Sequence, residues 1–384
     1  MIVGQEFEVF NNYKGTEKID MNCLLEQSRT VAKNWVDRLV INEQQPNFYM
    51  DEDMMFHYIT SDGEHRCADI TEYAFAQLCT RVGIPASYIK KCFEQNKREL
   101  AVLNFKTWAS DGTKNMLIRE SGGVVRAVLS EKYVPYNSYS TLKTLKRTVD
   151  TKRWNPTQVY LSEDRLAVRY VDFENPLKVN EGMGSKLYTG VSITNSDVGR
   201  GSLQMKVMLY RFACKNGMLI SSGGGTLYRQ SHIGEAMNEG KIRKFSEAIS
   251  QIDVVKEMVQ KQIEESRRVL NPFEYEVCLN RVKRELKLSE KSMEKLHDLV
   301  NGTYEQTNWG FMNGITELAQ DFSLETRMEM ETFAGELLMP KKITLIIYFP
   351  HIFMIWGKNE RKIDNVCFKF VRRSFISADN FHFF

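Results

Sequence analysis

The spacing of hydrophobic residues changes twice along this chain, and this change constrains the fold more than any single motif. At about residues 20–40 and again at about 70–96, apolar side chains recur every three or four positions, which is typical of amphipathic helices. From about residue 100 to 230 they alternate with polar side chains, as in half-buried strands, and then the helical spacing returns. The pattern predicts an α+β fold with a central, mostly antiparallel sheet, an N-terminal helical region and a C-terminal helical bundle.

The alternating region divides into seven predicted strands, and the short, turn-rich connections between most of them favour antiparallel pairing. The predicted strands are Ala101–Trp108, Asn115–Arg119, Val124–Glu131, Thr157–Leu161, Arg165–Phe173, Leu187–Thr194 and Leu203–Phe212. We also expect helices at about residues 20–40 and 138–149. The predicted regions are a helical region at 1–98, a sheet core at 99–235, a helical region at 236–338 and a basic, aromatic tail at 339–384.

Charge and cysteine content restrict the class of protein. The net charge is +3, but residues 341–384 carry eight Lys or Arg against three carboxylates, which leaves residues 1–340 at −2. Nucleic-acid binding would therefore need a local basic patch. The seven cysteines are scattered and never form a C-x-x-C pair, which favours free thiols in a reducing compartment and indicates no zinc site. Without a signal-peptide pattern or an apolar run of bilayer length, we expect a cytoplasmic protein with no membrane contact.

The sequence nominates no catalytic residue, metal ligand or cofactor site. None of the six histidines lies in a zinc-protease, deaminase or kinase motif, and there is no nucleophile elbow, phosphate loop or dinucleotide fingerprint. The sequence therefore favours a non-enzymatic protein, although it leaves enzymatic activity open.

The most informative feature is a set of basic and aromatic side chains on the predicted strands and in one of their loops. Side chains two positions apart on a strand share a face, so these residues are expected to converge on the open face of the sheet. The candidate nucleic-acid-binding residues are Lys106, Trp108, Arg126, Arg165, Arg169, Arg200, Lys206 and Tyr210. Cations that follow phosphates and rings that stack on bases are typical of single-strand binding. The alternative is a solvated face on which Lys and Arg stems lie along the sheet.

Three further segments bear on nucleic-acid binding, and the second and third of them each have an alternative interpretation. The stretch 186–231 is basic, with Lys186, Arg200, Lys206, Arg211, Lys215 and Arg229 against the single acid Asp197. The loop Asn195–Ser202 is either a hairpin turn or a set of backbone N–H groups that bind an anion. The helices at about 70–96, joined at Gly83, resemble a DNA-binding helix-turn-helix, but an ordinary helix corner is the alternative because no Asn, Gln or Arg begins the second helix.

Several motifs resemble the phage- and plasmid-related family called domain of unknown function 932. They are Arg126–Asn137, Ser192–Ser202, Leu209–Met218, the Gly83-Ile-Pro corner, Asn313-Gly-Ile-Thr and Ala334-Gly-Glu-Leu-Leu. The resemblance covers about residues 20–338. It implies a mobile-element origin and a bacterial host cytoplasm, and it transfers no catalytic residue.

Together, the residues and the resemblance predict a homo-oligomeric protein that binds or anneals single-stranded nucleic acid in replication and recombination. The alternative is a protein-interaction module that inhibits or triggers a host defence system, with a host or phage protein as its partner. Neither interpretation requires a cofactor.

Overall fold

A computed structural model describes residues 2–3, 7–11, 19–43, 45–110, 114–150, 152–162, 164–178, 186–211, 216–220, 225–338, 345–349 and 352–356. The helices are α1 (Met21–Lys33), α2 (Glu72–Val82), α3 (Ala86–Glu94), α4 (Arg98–Ala109), α5 (Ser138–Thr148), α6 (Glu239–Ser250), α7 (Ile252–Ser266), α8 (Pro272–Leu286), α9 (Glu290–Asp298), α10 (Asn308–Leu318) and α11 (Leu324–Leu338).

The strands form two large sheets and one hairpin. They are β1 (Ile2–Val3), β2 (Phe7–Asn11), β3 (Trp35–Val40), β4 (Phe48–Met50), β5 (Phe56–Ile59), β6 (His65–Thr71), β7 (Met116–Ser121), β8 (Val124–Ser130), β9 (Asn155–Ser162), β10 (Leu166–Val171), β11 (Leu187–Asn195), β12 (Leu203–Arg211), β13 (Asn216–Ile220), β14 (Thr226–Gln230), β15 (Leu345–Phe349) and β16 (Ile352–Trp356).

The first sheet has the strand order β3-β7-β8-β6-β5-β4, with β1 paired to β6. Pairing is antiparallel except at β6–β8 and β1–β6, which are parallel. Helices α2, α3 and α4 bury their apolar sides against this sheet, where Phe56, Phe75 and Phe105 lie in one hydrophobic core. The first sheet combines strands from both sides of residue 98.

The second sheet is antiparallel throughout, with the order β13-β12-β11-β10-β9-β2 and with β14 beside β12. Its apolar face carries Leu203, Met205, Val207 and Leu209 on β12. One end of this face packs on α1, α5 and α6, and the other end packs on helices α7 to α11. The opposite face carries polar side chains such as Arg169, Ser192 and Lys206, together with a small hydrophobic cluster, and the predicted binding residues of this sheet belong to it.

The structure confirms the α+β class, the mostly antiparallel pairing and the C-terminal helical region. The predicted strand Ala101–Trp108 is wrong, because these residues belong to α4. The buried positions are Ala101, Phe105 and Ala109, four residues apart as on one side of a helix, whereas Leu103 is 61% exposed. The predicted helix at 20–40 ends at Lys33, and the residues after Asn34 form β3, which pairs with β7.

Within the predicted tail, the structure describes only the antiparallel pair β15–β16, and the rest of 339–384 lies outside the described residues. In the part of the chain that is described, no helix has the length and apolar character needed to cross a bilayer.

Candidate functional site

The register of the second sheet places four of its cations on one face. Arg169 pairs with Ser192, and Ser192 pairs with Lys206 on the next strand. Arg165 lies on the same side as Arg169 by strand alternation, and Arg229 pairs with Gln204, two positions from Lys206. We call the side of the sheet that carries Arg165, Arg169, Lys206 and Arg229 the cationic face.

Helix α11 covers the middle of the cationic face. Both terminal nitrogens of Arg169 donate to the Glu331 carboxylate, and the Nε of Arg327 donates to Glu331 Oε1 at 3.0 Å. Arg169 is 4% exposed and Glu331 is 0% exposed. The expectation that Arg169 lies on an open, solvated face of the sheet is therefore wrong, because its charge is neutralised inside the protein.

The approach of α11 to the sheet edge is close. A Cβ atom at Gly335 would lie 2.0 Å from the backbone oxygen of Leu219 on β13. The other side of α11 contributes Phe333, Ala334 and Leu338 to the core of the C-terminal helices. Since α11 is buried on both sides, lifting it from Arg169 would break that core.

Tyr210 is also unavailable to a ligand. It is 3% exposed and lies in a small hydrophobic cluster with Tyr188, Met208 and Leu219. Its ring makes an edge contact with Phe173 at 5.9 Å. The prediction that this ring stacks on a base is wrong in this structure because the ring is part of the core.

Three other predicted residues lie away from the second sheet. Lys106 and Trp108 are exposed on helix α4, and Arg126 is half-buried on β8 of the first sheet. A Cβ atom at Gly83 would lie 3.6 Å from the Trp108 ring, which places this ring at the C-terminal end of α2. The eight predicted residues therefore do not form one surface.

The loop Asn195–Ser202 connects the antiparallel neighbours β11 and β12, so it is a hairpin connection, and it packs against the first sheet. Ser196 Oγ accepts the N–H groups of Val198 and Arg200 and donates to Asp164 O at 2.8 Å, which fixes the loop conformation. Gln77 of α2 donates to Val198 O and accepts the N–H of Val128 on β8. Gly199 has a φ of +79°, and a Cβ there would lie 2.6 Å from Leu129, so glycine fits this approach.

Buried charges hold the same junction. Arg119 makes a two-pronged ion pair with Asp37, and its Nη1 donates to Asp197 O at 2.6 Å. The Asp197 carboxylate accepts the N–H and the hydroxyl of Ser138. Burial raises the pKa of Asp197 to about 6, while the Ser138 hydrogen bonds and the positive charge of Arg119 act to lower it.

His232 is buried beside this junction. One of its ring nitrogens, Nε2, is 2.9 Å from Asn195 Oδ1, and its ring stacks on Tyr133 with centroids 5.3 Å apart. Burial lowers the pKa of His232, which keeps the imidazole neutral near pH 7. The residue therefore acts as packing and as a hydrogen-bonding group, and it adds no positive charge to the surface above it.

A pocket of about 570 Å³ opens above the junction, and we call it the inter-sheet pocket. Its lining comes from α2, β8, the loop after β11 and the segment around β14. The lining residues are Tyr73, Ala76, Gln77, Thr80, Arg81, Val128, Leu129, Ser130, Tyr133, Gly199, Gly201, Ser202, Arg229, Ser231, His232 and Ile233. Among the described residues that line it, there is no Asp or Glu.

Two arginines of the pocket are not paired with carboxylates. Arg81 is half-buried, and its Nε donates to Val128 O at 3.1 Å, while its terminal nitrogens have no partner among the described residues. Arg229 is exposed and likewise has no hydrogen-bond or ion-pair partner in the described part of the chain. Unlike Arg169, both guanidinium groups are available to an external anion.

Three predicted cations gather around the rim of this pocket. Arg200 lies over the Tyr73 ring at 4.7 Å and donates to Asp164 Oδ2 at 2.8 Å. Arg200 and Arg165 both lie 3.9 Å from the exposed carboxylate of Glu325 at the start of α11. Lys206 lies two positions along β12 from Gln204, which is the strand partner of Arg229. Burial lowers the pKa of Lys206, an effect that Arg229 adds to and Glu336 opposes.

Sequence reasoning did not select Arg81, Arg229 or the two pocket tyrosines as site residues. Arg229 lies in the basic stretch 186–231, so that stretch carried a signal for one of them. Arg81 lies on α2 of the other sheet, and only the packing of the two sheets brings it to the pocket. The resulting arrangement suits anion binding, and no group of three or more His, Cys, Asp or Glu among the described residues is placed to hold a metal ion.

A family model described as a domain of unknown function (DUF932) matches residues 127–332, more than half of the chain. The matched range includes the strands β9 to β14 of the second sheet, Arg229 and most of α11, whereas β2 and α2 with Arg81 precede it. Neither a curated protein nor a solved structure matches the chain. On the extent of the family match, the chain belongs to the family of the domain of unknown function (DUF932).

Proposed function

We propose that this protein binds single-stranded nucleic acid without catalysing a reaction, as a binding or annealing factor in phage- or plasmid-type replication and recombination. The supporting observation is the inter-sheet pocket, where Arg81 and Arg229 face solvent-accessible space with no carboxylate among the described lining residues. The proposed contact surface is this pocket and its rim. The central part of the cationic face is not included in this contact surface, because α11 covers it.

The cations at the pocket provide the electrostatic part of this proposal. Arg81 and Arg229 line the pocket, and Arg200, Arg165 and Lys206 lie around it. Among the described residues, the carboxylates of Asp164, Glu325 and Glu336 lie near the rim cations, and none forms an ion pair with Arg81 or Arg229. A small positive region of this kind agrees with a chain whose body is nearly neutral, because phosphate contacts require local rather than overall charge.

An aromatic contact is available at one end of the same region. Trp108 is 46% exposed, and its ring lies at the C-terminal end of α2, the helix that carries Arg81. An exposed ring beside a cationic groove can stack on an unpaired base and contributes about 1–3 kcal/mol per base. Trp108 therefore keeps its proposed role, although it lies on a helix and not on a strand.

The test is the fluorescence anisotropy of labelled single-stranded oligonucleotides titrated with the full chain at several salt concentrations. We expect an affinity that falls with salt, and Arg229→Gln should weaken binding about three- to tenfold and reduce the salt dependence. Trp108→Ala should weaken binding without changing the salt dependence. Arg243→Gln on α6 is the matched control, because its side chain is 77% exposed and lies away from the pocket lining.

Three outcomes would contradict the proposal: no binding by the unmodified chain at low salt, equal binding by Arg229→Gln and the parent, or equal losses in Arg229→Gln and Arg243→Gln. Circular dichroism of each variant excludes loss of folding as the cause of weaker binding.

A protein partner is the second candidate, and exposed apolar side chains on the C-terminal helices favour it. Val254 on α7 and Phe273 on α8 are each 77% exposed, and Val277 is 52% exposed. Single exposed apolar residues are common, but several on neighbouring helices suit a protein contact. A partner that the parent retains after nuclease treatment and that Phe273→Asp loses would favour this function over nucleic-acid binding.

A further inference from the structure

We propose that the inter-sheet pocket is a receptor for a phosphomonoester, the doubly charged phosphate carried by a strand end or by a free nucleotide. For a phosphate at the end of a nucleic-acid strand, this inference rests on the proposed function. It specifies the chemical class of ligand that the pocket binds. The charge of the pocket, its free hydrogen-bond donors and the limited access to its rings all favour this ligand.

The charge of the pocket matches a dianion. Arg81 and Arg229 contribute two positive charges, and the neighbouring His232 is neutral near pH 7 because burial lowers its pKa. A phosphomonoester carries about −1.5 to −2 charges at pH 7, since its second pKa is about 6. A phosphodiester within a strand carries a single charge, so two unpaired arginines favour the monoester.

Three hydroxyl groups supply further donors. Ser130 Oγ accepts the N–H of Lys132, Ser202 Oγ accepts the side-chain amide of Gln204, and Ser231 Oγ accepts the N–H of Ile233. In each case the serine oxygen acts as the acceptor and its own proton is not used in these bonds. All three serines line the pocket, so their hydroxyl protons can be donated to phosphate oxygens.

The rings of the pocket are not arranged to hold a base between them. Tyr133 stacks on His232 on one side and has the Arg119 guanidinium 5.5 Å from its ring centre. Tyr73 is covered by Arg200 at 4.7 Å. Since these rings already have partners, recognition inside the pocket is expected to come from the phosphate, and the base is expected to remain outside.

The experiment compares two oligonucleotides of one sequence, with a 5′-phosphate and with a 5′-hydroxyl, each labelled at the 3′ end. We expect the full chain to bind the phosphorylated oligonucleotide about tenfold more tightly at pH 7.5. The preference should disappear in Arg229→Gln and Arg81→Gln and persist in Arg243→Gln. It should also decrease below about pH 6, where the phosphate gains a proton.

A second arm uses calorimetric titration of the same protein with adenosine 5′-monophosphate and with adenosine. Binding of the monophosphate and not of adenosine is expected, and Arg229→Gln should abolish it. The Arg229 side chain makes no hydrogen bond or ion pair with a described residue, so the fold of this variant should be intact.

The outcomes separate the two proposals. Equal binding of both oligonucleotides, with no monophosphate binding, overturns the phosphomonoester site and leaves single-strand binding in place. Monophosphate binding with no binding of either oligonucleotide overturns the proposed function and supports a receptor for a free phosphorylated ligand. Absence of binding in both arms overturns both.

Discussion

Arg169 and Arg229 lie on the same face of the second sheet, but their surroundings differ completely. Arg169 is buried under α11, and its charge is balanced by Glu331. Arg229 lies on β14, three strands away from Arg169 on β10, and it is exposed. Its guanidinium group has no hydrogen-bond or ion-pair partner among the described residues. One region of the face is therefore closed by the protein itself, and the other is accessible.

The difference between these regions shows that the position of a cation on a sheet does not determine its role. A buried arginine needs a carboxylate because an unpaired internal charge costs several kcal/mol. An exposed arginine needs none, since water solvates it. The covering helix, and not the strand pattern, decides which of the two cations can meet a ligand.

The largest expected effect is that of removing the buried cation. Arg169→Ala leaves the Glu331 carboxylate buried without its main partner and should lower the free energy of unfolding by about 3–5 kcal/mol. Arg165→Ala, near Glu325 at the surface, should cost less than about 1 kcal/mol. Urea denaturation of both variants measures the contrast, and similar small losses would show that α11 does not seal Arg169.

A second prediction concerns the close approach of α11 to β13. Gly335→Ala should destabilise the protein by about 1–3 kcal/mol, because the new Cβ meets the backbone of Leu219. Intrinsic helix propensity alone would predict the opposite sign. Gly302→Ala is the control, since its Cβ would have no atom within 4 Å. If Gly335→Ala stabilised the protein, the close contact between α11 and β13 would be contradicted.

The junction beneath the pocket is expected to respond to pH through Asp197. Its pKa is raised to about 6 in the folded state, so the folded protein binds a proton more tightly than the unfolded chain does. The contribution of Asp197 to stability should therefore rise by about 1 kcal/mol as the pH falls from 7 to 5.

Denaturation of the parent and of Asp197→Asn at pH 5 and pH 7 tests this linkage. The amide retains an oxygen that can accept from Ser138 and does not titrate, so the difference between the two proteins should change with pH. A constant difference would place the carboxylate in a more solvated environment than the structure describes.

The smallest expected effect on stability is at the accessible region. Arg229→Gln should change the free energy of unfolding by no more than about 0.5 kcal/mol, because the guanidinium has no described protein partner. Thermal melts beside Arg169→Ala provide the comparison. A loss of 2 kcal/mol or more would mean that Arg229 stabilises the fold and is not free for a ligand.

Much of the second sheet could be predicted from strand alternation. The segments that contain Arg169 and Lys206 are strands, and both side chains point to the same face. The cover by α11 could not be predicted in this way, because Glu331 is 162 residues from Arg169 in sequence. The alternation of a strand indicates which side chains share a face and not what packs on it.

The first sheet shows a different limit. The segment Ala101–Trp108 contains alternating residues and a four-residue spacing at once, and the helical spacing prevails because it buries Phe105 on the first sheet. The inter-sheet pocket was also beyond prediction, since it exists only where α2 meets the loop after β11. That contact depends on Gln77, which bridges Val128 and Val198.

Photo-cross-linking of a single-stranded oligonucleotide that carries 4-thiothymidine, followed by mass spectrometry, tests the central claim most directly. If the inter-sheet pocket and its rim are the binding surface, cross-links should occur in peptides that contain residues 73–83, 108 and 199–202, and Arg229→Gln should reduce them. Cross-links confined to α7 and α8, or unchanged by Arg229→Gln, would contradict the account.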